Sequence, residues 1–155
     1  MSIIRRILKM YDDLYLMMFS ILGIFLIIFS VLVIVTVVLK LAGLWMIVSK
    51  AGRPGWSVII PLYGNYVISN VVLGNANYFI AVTITTVLSI AAEFSDIHSL
   101  LWITNVISLF LHIFFSIKMA KSFGKSTGFT IGLIFLPFIF LPILGFGKAQ
   151  YIGPS

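Results

Sequence analysis

From residue 14 to residue 39 the chain runs 26 residues without one charged side chain. As a helix that stretch is about 39 Å long, more than the ~30 Å that a bilayer core requires. Only Lys40 interrupts it before residue 50. A segment of this kind places the chain in a membrane. The rest of the composition agrees: 61% of residues are hydrophobic and 9% charged, against about 45–50% and about 25% in a soluble domain. So much apolar surface cannot be hidden in water by 155 residues.

A formal net charge of +6 raises the question of nucleic acid. The ten basic residues sit at the ends of apolar runs, not on one face. Basic residues so placed anchor spans to headgroups and set orientation. The partners expected are the lipid bilayer and other membrane proteins, or further copies of the chain, and not nucleic acid. The chain has no cysteine, so disulfides and thiolate metal sites are excluded. Arg5, Arg6 and Lys9 before an apolar run imitate a signal peptide, but the run is too long for one and no small-residue cleavage site follows.

The remaining apolar runs are bounded by charge. Residues 54–92 hold no charged side chain, residues 97–117 no Lys, Arg, Asp or Glu, and residues 126–147 none either. The first is broken by Gly74, Asn75, Ala76 and Asn77, residues that favour turns. These runs predict an all-α, polytopic membrane bundle of four or five transmembrane helices in a single domain. An interfacial N-terminus covers residues 1–15, a first span 16–39 and an interfacial elbow 40–56. Residues 57–73 form a span or a re-entrant segment, and spans follow at 78–92, 98–117 and 128–147. Pro61, Tyr63, Gly64, Asn65, Tyr66, Ser69 and Asn70 make the 57–73 segment polar for a lipid-facing helix, so an interfacial helix also fits it.

Lysine and arginine placement gives the topology. The loop at 93–98 has no Lys or Arg and faces out; the loop at 118–125 carries Lys118, Lys121 and Lys125 and faces in. Five spans with the N-terminus inside, and four with it outside, each put six basic residues in and four out. A basic N-terminus ahead of a long apolar helix favours five.

Four polar residues, Asn105, Ser108, His112 and Ser116, lie within roughly 80° of one another on a helix. The preceding run offers Thr83, Thr86, Ser89 and Glu93 on a matching face. An ionisable group deep in a span is a functional candidate. The stripe is read as interhelical hydrogen bonds that fix packing, with a polar path centred on His112 as the alternative. Enzyme chemistry finds no support. No His-Glu-x-x-His pattern is present, two histidines do not fill a zinc site, and the lysines stand away from buried serines. No catalytic residue, metal or cofactor is expected.

One set of residues is more specific. Lys50-Ala51-Gly52-Arg53-Pro54-Gly55-Trp56 precedes Ile60-Pro61-Leu62-Tyr63-Gly64-Asn65. Later come Phe123-Gly124-Lys125 and a tail from Gly132 through Pro137 and Pro142 to Gly147, followed by Ala149-Gln150-Tyr151. This pattern resembles a family of small bacterial multi-pass membrane proteins without an accepted activity. Some of those relatives carry the label signal peptidase I because the module is joined to a peptidase domain. The resemblance implies a bacterial plasma-membrane protein and supplies no catalytic role. Its motif residues here are Lys50, Gly52, Pro54, Gly55, Trp56, Pro61, Tyr63, Asn65, Gly124, Pro137 and Pro142. Pro54-Gly55 reads as a turn, Trp56 as an interfacial aromatic, and Lys50 and Arg53 as headgroup contacts.

Overall fold

The computed structural model describes residues 2–95 and 97–155. Asp96, part of the loop expected to face out, and Met1 lie outside the described residues. Six α-helices follow in order: α1 (Ser2–Lys50), α2 (Tyr63–Leu73), α3 (Asn77–Phe94), α4 (His98–Ser122), α5 (Thr127–Phe135) and α6 (Pro137–Phe146), with a 3-10 turn at Gly55–Ile59 before α2. No strand occurs among the described residues. The all-helical, membrane-type architecture read from the apolar runs is the one observed. The chain divides into two units, the first ending at Val38 and the second Leu39–Ser155.

The first unit is helical throughout, and its side chains from residue 3 onward are exposed except for half-buried Gly23 and Thr36. An apolar helix with no covered side is suited to lipid. Its helix runs on without a break to Lys50. Residues 40–50 are therefore helical, and the elbow expected from residue 40 begins only at Ala51.

The second unit is built on a helical hairpin. α3 and α4 run antiparallel, with Tyr78 of the first turn of α3 stacked on Phe115 near the end of α4, ring centroids 4.2 Å apart. Buried Val67, Ile68, Val71 and Val72 of α2 and Met119 and Ala120 of α4 share one core with Ile47 and Val48 of α1 and with Leu133, Leu141 and Leu144 of α5 and α6.

Among the described residues, three helices are long and apolar enough to cross a membrane: Ile3–Lys50, Asn77–Phe94 and His98–Ser122. The runs had pointed to four or five, and two segments account for the difference. α2 has 11 residues, about 16 Å of helix, half a bilayer core. The span expected at 128–147 is two helices of 9 and 10 residues. Proline disfavours helical geometry in the residue before it, and Leu136, ahead of Pro137, has φ −130° and ψ 55°. The two short helices fold against each other, Phe129 meeting Phe140 edge-on at 5.1 Å. Gly132 makes the room, since a Cβ there would collide with the Phe140 ring.

The α5–α6 pair leaves from and returns to one end of the unit. The chain departs at Ser122 and comes back at Ile152, whose N–H donates to the Ser122 carbonyl at 2.9 Å. The ends of α1, α2, α4 and α6 meet there. Lys50, Arg53, Lys118, Lys121, Lys125 and Lys148 all belong to this end, while Glu93 lies at the far end of the α3–α4 hairpin.

Candidate functional site

Two of the motif boxes prove to be the same physical device. At the end of α1 the Gly52 N–H donates to Ser49 O at 3.0 Å and the Arg53 N–H to Val48 O at 3.1 Å. At the end of α4 the Gly124 N–H donates to Lys121 O at 2.9 Å and the Lys125 N–H to Ala120 O at 2.9 Å. Each is a Schellman closure, which needs a left-handed residue just past the helix. Gly52 and Gly124 have φ 74° and 61°, values that glycine adopts without penalty. Pro54 then prevents any continuation of α1. Gly55 is needed for a different reason: a Cβ there would strike the Trp45 ring and lie 2.6 Å from Ser49 Oγ.

Lys50, expected to face headgroups, instead ties α1 to the end of α6. Its Nζ donates to the carbonyls of Leu144 at 2.9 Å, Gly147 at 2.7 Å and Ala149 at 2.9 Å. An ammonium has three protons, and all three find acceptors. The last carbonyls of a helix lack partners within it and carry partial negative charge, which explains why a cation sits here. The same contact brings α1 close to α6. A Cβ on Gly43 would lie 2.6 Å from the Leu141 and Pro142 backbone, and one on Gly145 would lie 2.6 Å from Gly43 O. The sequence had Gly145 only as part of the tail motif and did not single out Gly43, because the two are 102 positions apart and the pairing arises only on folding.

His112 serves the second helix end. Its Nε2 is 3.3 Å from the carbonyl of Ile134, a group released by the break at Leu136–Pro137. A carbonyl only accepts, so Nε2 carries the proton in this contact. Buried Ser116 donates to His112 O at 2.8 Å.

The remaining stripe residues go elsewhere. Asn105, Ser108, Thr86 and Glu93 are exposed. The hydroxyls of Thr83, Thr86 and Ser89 donate back to carbonyls of α3 four residues earlier, at 2.8, 2.8 and 2.9 Å. The matching faces of α3 and α4 therefore do not exchange hydrogen bonds through these hydroxyls; a short hydroxyl side chain reaches its own helix first. Buried Thr85 and Thr104 stand between the helices in their place and likewise bond within their own helix.

Around His112 lies a cavity of about 180 Å3, lined by polar Lys40, Asn65, Tyr78, His112 and Ser116 and by apolar Leu44, Ile68, Phe115, Met119, Leu133, Pro137 and Leu141. Of its polar members the stripe supplied two and the motif boxes one. Lys40 and Tyr78 were missed, for nothing in their local pattern brings them to α4.

The Pro61 segment holds a strained turn. Leu62 has φ 66° and ψ −54°, and the Tyr63 N–H reaches back to Pro61 O at 2.7 Å, the geometry of a γ-turn. From it an aromatic ladder climbs through Trp56, Tyr63, Tyr66 and Phe79, with successive ring centroids 6.3, 6.4 and 5.8 Å apart. A smaller cavity of about 120 Å3 lies beside it, lined by Arg53, Pro54, Tyr63, Tyr66, Val67 and Asn70.

The tail closes the basic end. Tyr151 donates its phenol proton to Val71 O at 2.6 Å and packs its ring on Phe123 at 5.5 Å. Burial raises the phenol's pKa, and the nearby Arg53 charge offsets part of that. Ser122 Oγ adds a bond to Val72 O at 3.1 Å.

The device just described, from the 3-10 turn to this tail, coincides with a known sequence unit. The family model for DUF5684, a family of unknown function, matches residues 56–154. The chain belongs to the DUF5684 family. The matched stretch takes in α2 to α6, hence both helical hairpins and the Tyr151 strap, and begins after Lys50. No match was found among curated proteins or among solved structures. DUF5684 membership and helices fit to cross a bilayer describe a membrane protein.

Proposed function

We propose that this protein acts through helix contacts with other proteins of the bacterial plasma membrane and performs no chemistry of its own. The observation that carries this reading is the first unit. Its long apolar helix leaves nearly every side chain exposed, so its whole surface is available to lipid or to a membrane partner. The resemblance to modules joined to a peptidase favours an accessory of export or envelope assembly; an immunity factor against a membrane-active toxin has the same requirements.

The topology that accompanies this reading has three crossings, by α1, α3 and α4. α2 lies at the interface and the α5–α6 pair is re-entrant. A crossing at residues 14–39 separates Arg5, Arg6 and Lys9 from the other basic residues. Returning Lys148 to the side of Lys125 leaves seven basic residues on one face and three on the other, which supports a cytoplasmic basic end.

Copurification of the tagged full chain from native membranes tests the function. A partner should be enriched, and should be lost when residues 16–36 are replaced by leucines. Recovery of the chain alone sinks the proposal. The second reading is a small oligomeric channel, favoured by the cavity at His112. Ion or solute flux into liposomes that is unchanged by His112→Ala removes it.

A further inference from the structure

The cavity between α1, α2, α3 and α4 contains more cationic and donor chemistry than packing requires. Lys40 stands ten residues before Lys50 and His112 ten before Ser122, so both lie about 15 Å along their helices from the basic end. An ionisable group at such depth is costly and calls for a partner. No Asp or Glu lines the cavity, and the described carboxylates of the second unit are confined to Glu93, at the other end of α3. Among the described residues, no carboxylate side chain shares the cavity that Lys40 lines.

The lining defines what would supply it. Lys40 brings a full positive charge, and the Asn65 amide and Tyr78 hydroxyl are further donors. His112 already uses Nε2 on Ile134 O and is not counted among the donors. The same lining includes apolar Leu44, Ile68 and Leu133. Donors together with hydrocarbon suit the anionic end of an amphiphile. A volume of about 180 Å3 is near that of a cavity that takes benzene. It therefore admits a phosphate and the first carbons attached to it, while acyl chains must remain outside. Lys40 and Asn65 are both exposed and mark the mouth through which such a headgroup enters.

We infer that this cavity is a binding site for a lipid phosphate monoester, held by Lys40 with Asn65 and Tyr78 and walled by α5 and α6. Nothing in it depends on the partner contacts proposed above.

The full chain is reconstituted in nanodiscs of phosphatidylcholine containing a few per cent phosphatidic acid, and retained lipid is measured by native mass spectrometry and 31P NMR. Phosphatidic acid should be retained preferentially, and Lys40→Met should lower that preference about tenfold, the loss expected for one charge-assisted hydrogen bond. Lys40→Arg should keep it. Asn65→Leu, at an exposed position of α2, should weaken it as well, and serves if Lys40→Met does not fold. Inorganic phosphate supplied alone should not displace the lipid. Equal retention of the two lipids, indifference to both Lys40→Met and Asn65→Leu, or displacement by inorganic phosphate at the lipid's own concentration each overturns the site.

Discussion

Residues 97–117 and 126–147 are apolar runs of nearly equal length, each free of Lys, Arg, Asp and Glu, yet they fold differently. All of the first but its N-cap Ile97 lies within α4, a single helix of 25 residues and about 37 Å. The second gives two helices that turn back on themselves. Hydropathy does not separate the two cases. Backbone chemistry does: Pro137 has no N–H, unsettles Leu136, and frees carbonyls that a membrane cannot hydrate. No proline interrupts α4. In the α5–α6 pair the helix ends are served from a distance, by His112 on Ile134 and by Lys50 on Leu144, Gly147 and Ala149. A broken helix thus borrows side chains from its neighbours, and residues that look like candidates for chemistry are occupied in holding it.

The largest expected effect is all-or-none and would break the comparison outright. Single cysteines placed at Ser126 and at Lys148, both exposed positions of a cysteine-free chain, should react with an impermeant reagent from the same side of the membrane. Opposite sides would mean that the pair crosses as one span, like α4.

Next in size is Lys50→Met. It strips three carbonyls of a charged donor, and hydrogen bonds to charged groups contribute about 1.5–3 kcal/mol each. Even with partial replacement by water at the exposed Gly147 carbonyl, a loss of about 3 kcal/mol should appear as a lowered midpoint in detergent unfolding. Lys121→Met, at an exposed lysine of the same end, should change stability by no more than about 0.5 kcal/mol. Equal effects from the two would place Lys50 among ordinary surface charges.

A subtler pair sharpens the contrast between borrowed and internal bonds. His112→Leu leaves the Ile134 carbonyl without its donor and should cost about 1 kcal/mol, in the range of interhelical bonds in membranes. Thr85→Val removes a hydroxyl that only adds to a carbonyl already bonded within α3, and should cost about 0.5 kcal/mol or less. Both are read from steric-trap or denaturant unfolding in bicelles. If Thr85→Val is the more damaging, the hydroxyls of the α3–α4 hairpin do more than fill space.

How far these arrangements could be read from the chain follows the same division. The membrane class, the turn at Gly74–Asn77 and the α3–α4 hairpin were legible, because each depends on local hydropathy or on residues with strong turn chemistry. Pro137 and Pro142 were visible as kinks, but a kink and a reversal share one local signature; what distinguishes them is the bond from Ile152 to Ser122, thirty residues away. The polar stripe was assigned by angle alone, which put Asn105 with His112. The structure separates them because α5 and α6 cover only the end of α4 that carries His112. Lys50 was taken for a headgroup anchor because lysines after long apolar helices usually are, and the α6 terminus that claims it is 94 residues on. Gly43 and Tyr78 gave no signal, since each matters only against a partner remote in sequence.

The smallest prediction concerns the strap that brings the chain back. Tyr151 bonds Val71 O and holds the tail after α6 at the basic end, which α4, ending in its own Schellman closure, does not need. Burial raises this phenol's pKa above the ordinary 10.0, so the folded chain holds the proton more firmly than the unfolded one. The stability gained is therefore complete below pH 10 and falls as the pH rises through the folded value. Tyr151→Phe keeps the ring on Phe123 and removes the bond, at about 1 kcal/mol or less. The gap between the two proteins should be constant from pH 7 to 9 and narrow above pH 10. A gap that persists unchanged at pH 11 would show that the phenol proton is not what secures the return, and that Lys50 and the Ile152–Ser122 bond carry it without Tyr151.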